Sequence, residues 1–274
     1  MELAKKRAIS DVQNSKGKLN NVILAALVSD LQRGPYEPLA VGVLAGALLE
    51  EIPDINVYIS TVRQSDIQNF VKMCSLLDPT TIGLSIPQGT ADIAKSILDK
   101  IHGKTNAAIV VGHAIPTRGN DLAQEYPDIT PIKGWGENQL VNIVQKRLGR
   151  EPIEDKGKSY VPVRVGEPNE YIRRIEASRG CNYGRCFFCT RPDDTHSPKW
   201  KPVDLDVIRK QLDELTEMGV TSFAFTDEDF AGNPKQIPEL TNLLGQYNFK
   251  FSSAMCVETI IPIIQDKDKS VPTK

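Results

Sequence analysis

The sequence predicts an α/β protein: a doubly wound parallel sheet over residues 19–150, followed by a shorter series of strand-helix units. Three observations carry that expectation. Residues 21–150 alternate short apolar runs of strand length with stretches of helical periodicity. The first run is apolar at every position rather than at every second one, as in a strand buried on both faces. Residues 151–170, dense in proline, glycine and charge, then read as a linker before a second alternation that starts near Ile175.

Composition sets the outer bounds. A chain of 274 residues is long enough for two domains, each with its own core. The formal net charge of -2 provides no global basic field, so nothing points to a nucleic-acid partner. No apolar run approaches the roughly 20 residues of a membrane helix, and the polar start lacks the apolar core of a signal peptide. A cytoplasmic protein with no membrane partner is therefore expected. Five cysteines, three of them clustered, suit a reducing compartment in which thiols serve metals.

In chain order, residues 1–18 carry no sustained apolar period and read as a mobile tail. Val22 to Val28 is the first strand. Pro38 to Glu51 is a helix with Leu39, Val43, Ala47 and Leu48 on one side. Ile55 to Ser60 is a strand, and Ser65 to Leu77 a helix with Ser65 as its N-cap. Thr81 to Ile86, Ala107 to Val111 and a short piece near Ile129 to Ile132 are further strands. Thr90 to Ile101 and Asn138 to Leu148 are the helices between and after them. In the linker only Tyr160 to Val165 is strand-like.

Parallel sheets of this kind bind ligands at the carboxyl ends of their strands. The loops there contain Ser85, Gln88, Gly89 and Thr90 after the third strand, Gly112 and His113 after the fourth, and Gly134, Gly136 and Glu137 after the fifth. Glycine lets backbone approach a bulky ligand, while Ser85 and Thr90 offer hydrogen bonds. Glycines at strand ends are also ordinary turn residues, so both readings stand at this point. His102 falls at a helix end, where the helix dipole favours a cation.

The second half opens on Ile175 to Gly180, a strand ending in a glycine turn, followed at once by Cys181, Cys186 and Cys189 in the spacing C-x4-C-x2-C. Three thiolates so close on one loop can converge on a single metal centre, either zinc or an iron-sulfur cluster. Zinc would need a fourth ligand such as Cys256, His196 or Cys74. Arg191 to Trp200 is a polar loop. A helix then runs from an Asp204 cap to Gly219, with Leu205, Ile208, Leu212 and Leu215 on one face. Val220 to Phe225 is a buried strand tipped by Asp227, Glu228 and Asp229, three adjacent acids that call for a nearby cation unless they form a solvated turn. Lys250 to Cys256 is a third strand, with Ile260 to Ile264 starting the next segment. Cys74 and Cys256 read as ordinary buried cysteines.

The run Ser178-Arg179-Gly180-Cys181 through Cys186-Phe187-Phe188-Cys189 resembles the cluster loop of the radical S-adenosylmethionine enzymes. The resemblance implies a [4Fe-4S] cluster on Cys181, Cys186 and Cys189, with S-adenosylmethionine chelated to the open iron and Phe188 at the family's aromatic position. It also makes Asp227 and Glu228 candidates to meet the methionyl ammonium. The first cysteine spacing is one residue longer than the family's commonest, and Gly184 makes a longer loop sterically easy.

Residues 19–150 resemble the cobalamin-binding domain, flavodoxin-like in topology, that precedes the radical core in one class of these enzymes. Pro35 to Glu51, Gly112 to Thr117 and Gly134-Trp135-Gly136-Glu137 carry that likeness. Contacts to cobalamin are accordingly expected from Ser85, Gln88, Gly89, Gly112, His113, Gly134, Gly136 and Glu137. Gln32 stands where a related cobalamin domain has its cobalt-binding histidine, so cobalamin without a histidine lower ligand is implied. The same resemblance implies reductive cleavage of S-adenosylmethionine, an electron donor such as flavodoxin or ferredoxin, and methyl transfer to an unactivated carbon as the leading outcome. Residues 171–274 would supply only about half of the (β/α) barrel, with another chain or a continuing segment supplying the rest. The alternatives are a non-catalytic cobalamin- or metal-binding module and a zinc-stapled regulator.

Overall fold

A five-stranded parallel core organises the first of two units, Met1–Glu167 and Pro168–Lys274, in a computed structural model that describes residues 2–3, 20–29, 34–113, 122–183 and 200–256. Its strands are β1 (Glu2–Leu3), β2 (Asn21–Leu27), β3 (Asn56–Val62), β4 (Thr81–Ser85), β5 (Ala108–Gly112) and β6 (Ile129–Pro131), in the order β1-β3-β2-β4-β5-β6. From β3 to β6 every pairing is parallel. Five strands in that order form the doubly wound, flavodoxin-like arrangement expected from the sequence. β1 modifies the tail expectation: Glu2 and Leu3 pair antiparallel with Ile59 and Tyr58, covering part of the edge of β3. The remainder of the tail lies outside the described residues.

The helices are α1 (Leu39–Glu51), α2 (Ile67–Leu77), α3 (Ala91–Ile101), the short α4 (Leu122–Glu125) and α5 (Glu137–Arg147). All seven residues of β2 are buried, six of them, Val22 to Leu27, as an uninterrupted apolar run requires. Ile23, Ala25 and Leu27 form one core with Phe70 of α2 and with Ile93 and Ile97 of α3. The alternate residues of β2 face the other side of the sheet. α1 and α5 pack on each other.

Ser65 is not the cap expected of it. A 3-10 turn over Gln64–Asp66 opens that helix, and the Asp66 carboxylate accepts the Arg63 N–H at 3.0 Å and the Ser65 hydroxyl at 3.3 Å. Asp66 stands at the N-cap of α2 without a side-chain capping bond to it, and its carboxylate instead ties the preceding turn together.

Residues 151–165 are not a free linker, and Tyr160 to Val165 is not a strand. The segment lies as a strap along α1 and α5. The Ile153 N–H donates to Asn142 Oδ1 at 2.7 Å, Lys158 Nζ meets Glu50 at 2.6 Å and Glu51 at 3.0 Å, and the Val163 N–H donates to the Gly42 carbonyl at 2.9 Å. A helix offers such a strap a few spare carbonyls but no strand edge, so no ladder forms. Gly42 and Gly46, one turn apart, make the approach possible. A Cβ on Gly42 would stand 2.6 Å from the Val163 oxygen, and one on Gly46 only 2.0 Å from the Val161 oxygen.

That contact reverses the usual effect of a helical glycine. Alanine in a helix interior ordinarily gains about 1 kcal/mol over glycine. At position 46 the obstacle is backbone, which has to move, so Gly46→Ala should instead lower stability by about 1–3 kcal/mol. Urea unfolding measures the loss, and faster proteolysis within residues 151–165 would show where the strap has lifted.

The second unit contains β7 (Arg174–Ile175), β8 (Ser178–Arg179), β9 (Lys201–Pro202), α6 (Leu205–Glu217), β10 (Ser222–Phe225), α7 (Ile237–Leu244) and β11 (Lys250–Ser252). β7, β10 and β11 are parallel and adjacent in chain order, each successive strand added on the same side. This is how an open piece of a (β/α) barrel is laid down. Ile175, Ile208, Leu212, Leu215, Phe223, Phe225, Leu240 and Leu243 form its core.

Several boundaries differ from the sequence reading. The strand expected over Ile175 to Gly180 breaks at Glu176 and Ala177: β7 stays with β10, while β8 turns away to pair antiparallel with β9. β10 begins at Ser222, and the strand expected to reach Cys256 ends at Ser252. Asp204 stands at the N-cap of α6 without a side-chain capping bond. Cys74 is buried as expected, which pushes its thiol up to about 12, whereas Cys256 is only half-buried. The segment expected to start at Ile260 lies outside the described residues.

Candidate cobalamin edge and cysteine-loop site

The carboxyl ends of β2 and β4 mark the point where the strand order reverses, and the candidate residues of the first unit line that edge. Ser85 closes β4 and pairs with Gly112 of β5, and the Ile86 N–H donates to the Gly112 carbonyl at 2.9 Å. Gln88 and Gly89 follow on an exposed turn, with Gly89 at φ +84°. Thr90 serves the structure, since its hydroxyl donates to the Pro87 carbonyl at 2.8 Å and closes this turn ahead of α3.

Gly112 is the informative glycine. Its φ is not in the left-handed region, and a Cβ built on it would meet nothing within 4 Å. Neither backbone conformation nor packing among the described residues demands glycine there. Close approach of a broad ligand to the sheet edge does give a reason for it. His113 follows at φ +81°, exposed, an uncommon conformation for a side-chain-bearing residue and one often found at functional loops.

The turn after β6 divides. Gly134 has φ +73° and open space around its Cβ position. A Cβ on Gly136 would press on Ile132 at 3.2 Å and Leu44 at 3.5 Å, so packing alone accounts for that glycine. Glu137, the first residue of α5, is buried. The Gln139 amide donates to the carbonyls of Lys133 and Trp135 at 2.8 and 2.9 Å and holds the turn.

Sequence reasoning missed Glu37 and Arg164. Glu37 lies on the loop from β2 to α1 and is 2 % exposed; its carboxylate meets Arg164 Nη1 at 3.0 Å. A glutamate beside two prolines and an arginine in a charged stretch both read as surface residues, and no local signal pairs them. Gln32, on the same loop, lies outside the described residues.

In the second unit the chain enters the cysteine loop through β8 and Gly180, whose φ is +83°. Cys181 is half-buried with a free thiol. Cys186, Cys189 and Phe188 lie outside the described residues. The acids at the tip of β10 reach that entry. Asp227, 3 % exposed, accepts the Ala177 N–H at 3.1 Å on one oxygen and the Ser178 hydroxyl on the other. Glu228 accepts the Gly180 N–H at 2.8 Å. Asp229, fully buried, accepts the Cys256 N–H at 3.0 Å. Each carboxylate of the triplet thus has a backbone N–H of its own. Burial, partly offset by the hydrogen bonds from Ser178 and Ala177, pushes the Asp227 carboxyl up to about 6.

The opposite wall is built by Trp200. Its indole N–H donates to the Asp229 carbonyl at 3.0 Å, and its ring covers Gly232, where a Cβ would fall 2.3 Å from it. Asn182, next to Cys181, donates to the Gly232 carbonyl at 2.6 Å. The sulfur donor set Cys181, Cys186 and Cys189 fits an iron-sulfur cluster chemically, and the one thiol of the three that is described stands partly open to receive it.

No protein-family model matches the chain. It is 28% identical over 242 residues to the 4'-phospho-dehydrooxetanocin synthase of Priestia megaterium, a match covering 72% of this chain and 32% of that protein. The chain spans about a third of the length of the curated relatives it matches. The cobalamin-dependent S-adenosylmethionine radical enzyme OxsB, solved with aqua-cobalamin and S-adenosylmethionine bound, superposes with a TM-score of 0.67 at 22% identity, covering 85% of this chain and 38% of that one. The radical S-adenosylmethionine methyltransferase TsrM from Kitasatospora setae, solved with cobalamin and a [4Fe-4S] cluster bound, gives a TM-score of 0.64 at 18% identity, over 83% of this chain and 50% of that one. In sequence and in fold the chain is thus similar to the cobalamin-binding radical S-adenosylmethionine enzymes, in agreement with the likeness carried by its cysteine loop and first-unit turns.

Proposed function

We propose that this chain is the cobalamin-binding and cluster-binding part of a radical S-adenosylmethionine enzyme that transfers a methyl group to an unactivated carbon. The observation that carries the reading is Gly112, a glycine on the ligand edge of a flavodoxin-like sheet that neither its backbone conformation nor packing among the described residues demands, and that a close-lying ligand would require. When bound, the cofactors supply one-electron chemistry and a transferable methyl group. The chain's own residues supply placement. Ser85 and Gly112 would support the corrin, with Gln88, Gly89, His113 and Gly134 at its rim. With Gln32 at the related histidine position, no protein imidazole would reach the cobalt.

Cys181, Cys186 and Cys189 would hold the cluster, with the left-handed bend at Gly180 steering the chain into the first of them. An electron donor such as flavodoxin or ferredoxin would reduce it in the cytoplasm. Among the described residues no helix is long and apolar enough to cross a membrane.

Anaerobic reconstitution with iron and sulfide, followed by dithionite and S-adenosylmethionine, should yield 5′-deoxyadenosine. A cluster without that product would mark a non-catalytic cofactor-binding module, and zinc without labile sulfide would mark a zinc-stapled protein. Corrinoid retention tests the other unit. Because a Cβ at position 112 meets nothing among the described residues, Gly112→Val should leave urea unfolding unchanged while weakening cobalamin binding roughly tenfold or more. A variant that retains cobalamin as well as the parent would sink the assignment.

A further inference from the structure

We propose that Asp227 and Glu228 are positioning residues: a two-carboxylate clamp that fixes the entry into the cysteine loop, with Asp227 turned to the chain rather than to a ligand. The geometry of β10 and its neighbour carries the inference. Backbone pairing between β10 and β7 runs up to the Thr226 N–H, which donates to the Ile175 carbonyl at 2.9 Å. Beyond that point β8 leaves the sheet to pair with β9, and the Ala177 carbonyl is taken by the Val203 N–H at 2.9 Å. The ladder with β10 has no further backbone rungs there.

Side chains replace them. Asp227 takes the Ala177 N–H and the Ser178 hydroxyl, and Glu228 takes the Gly180 N–H, so the two acids follow the departing strand rung by rung. A buried backbone N–H without a partner is costly, and an ionised acceptor makes a stronger bond to it than a neutral one does. The residues held, Ala177, Ser178 and Gly180, are three of the last four before Cys181. Both oxygens of Asp227 are engaged and the side chain is buried, which leaves it no open face for an ammonium group. Asparagine could keep the clamp, accepting the Ala177 N–H and donating to the Ser178 oxygen. Alanine could not.

The clamp stands on geometry alone, while its consequence for the cluster rests on the proposed function, and the test separates the two. Amide hydrogen exchange on the full chain, before reconstitution, follows the peptide covering residues 177–180. Asp227→Ala and Glu228→Ala should each speed its exchange roughly tenfold or more, with peptides of β2, β4 and β5 unchanged and Asp227→Asn close to the parent. Exchange at the parent rate in both alanine variants overturns the clamp. Should Asp227→Ala fail to fold, Glu228→Ala and Glu228→Gln decide the same question at Gly180.

After anaerobic reconstitution, the rate of iron loss to a chelator is read. Asp227→Ala should lose iron several-fold faster than the parent, and Asp227→Asn at nearly the parent rate. Faster exchange with unchanged iron retention overturns the positioning role. A parent protein that takes up no cluster overturns the proposed function and leaves the exchange result to decide the clamp. Tight S-adenosylmethionine binding that vanishes in Asp227→Asn, with exchange at residues 177–180 unaltered, would restore the ligand reading and overturn this one.

Discussion

Replacing Arg164 with methionine should lower the stability of the first unit by about 3–5 kcal/mol, the penalty expected when one partner of a buried ion pair is removed. Methionine keeps much of the aliphatic volume, so the loss isolates charge rather than packing. Glu37 is 2 % exposed and the Arg164 side chain 8 % exposed, which leaves the carboxylate little access to water. Neutralising the acid as well, in Glu37→Gln/Arg164→Met, should recover most of the loss, because the cost lies in the uncompensated charge. Urea unfolding of the parent, both single variants and the double variant provides the cycle. A double variant as unstable as the sum of the singles would show that the pair is not coupled. The pair also joins the strap to the residue just ahead of α1, where the Leu39 N–H donates to the Glu37 carbonyl at 2.8 Å. Its loss should therefore loosen the loop after β2 along with the strap.

As pH rises from about 4 to about 6, the second unit should lose stability through Asp227, by about 3 kcal/mol in all. The sign follows from proton counts. The folded carboxyl titrates near 6 and the unfolded one near 3.8, so between those values the folded state binds more protons. Added base then favours unfolding. Below the unfolded value both states are protonated, and above the folded value both are ionised, so the contribution is flat outside the window. The chain has two tryptophans, and Trp135→Phe leaves Trp200, in the second unit, as the reporter. Denaturation of that protein from pH 4 to 7, with and without Asp227→Asn, isolates the slope as a difference. Equal slopes in the two proteins would show that Asp227 titrates normally when folded.

The architecture of the first unit was legible because burial leaves a local imprint. β2 is apolar at every position from Val22 to Leu27 since both of its faces are covered, and α2 and α3 show the helical period since only one face of each is. Turn chemistry was less legible. Ser65 reads as the cap of the helix after β3, but a 3-10 turn precedes that helix and the Ser65 hydroxyl donates to Asp66 instead. The break in the strand before Cys181 was invisible for a similar reason: Ile175 to Gly180 has one continuous pattern, yet β9 captures its second half.

Among the candidate site residues, Gly89, Gly112 and Gly134 could be singled out from sequence, but Gly112 and Gly136 look alike there. Only the surroundings separate them, open space at the first and Ile132 with Leu44 at the second. The acids of β10 could be located by their adjacency, whereas their partners at Ala177, Ser178 and Gly180 could not.

By itself the sequence determined the strand-helix alternation and the sulfur spacing, because each is a pattern among near neighbours. The tertiary structure alone decided that residues 151–165 strap α1, that Glu37 meets Arg164, and that Asp227 and Glu228 hold the path into Cys181. Those contacts join polar groups far apart along the chain. A charged or amide-seeking side chain has the same local propensity on a solvated surface as in a buried clamp, and its partner is fixed only when the fold closes around both.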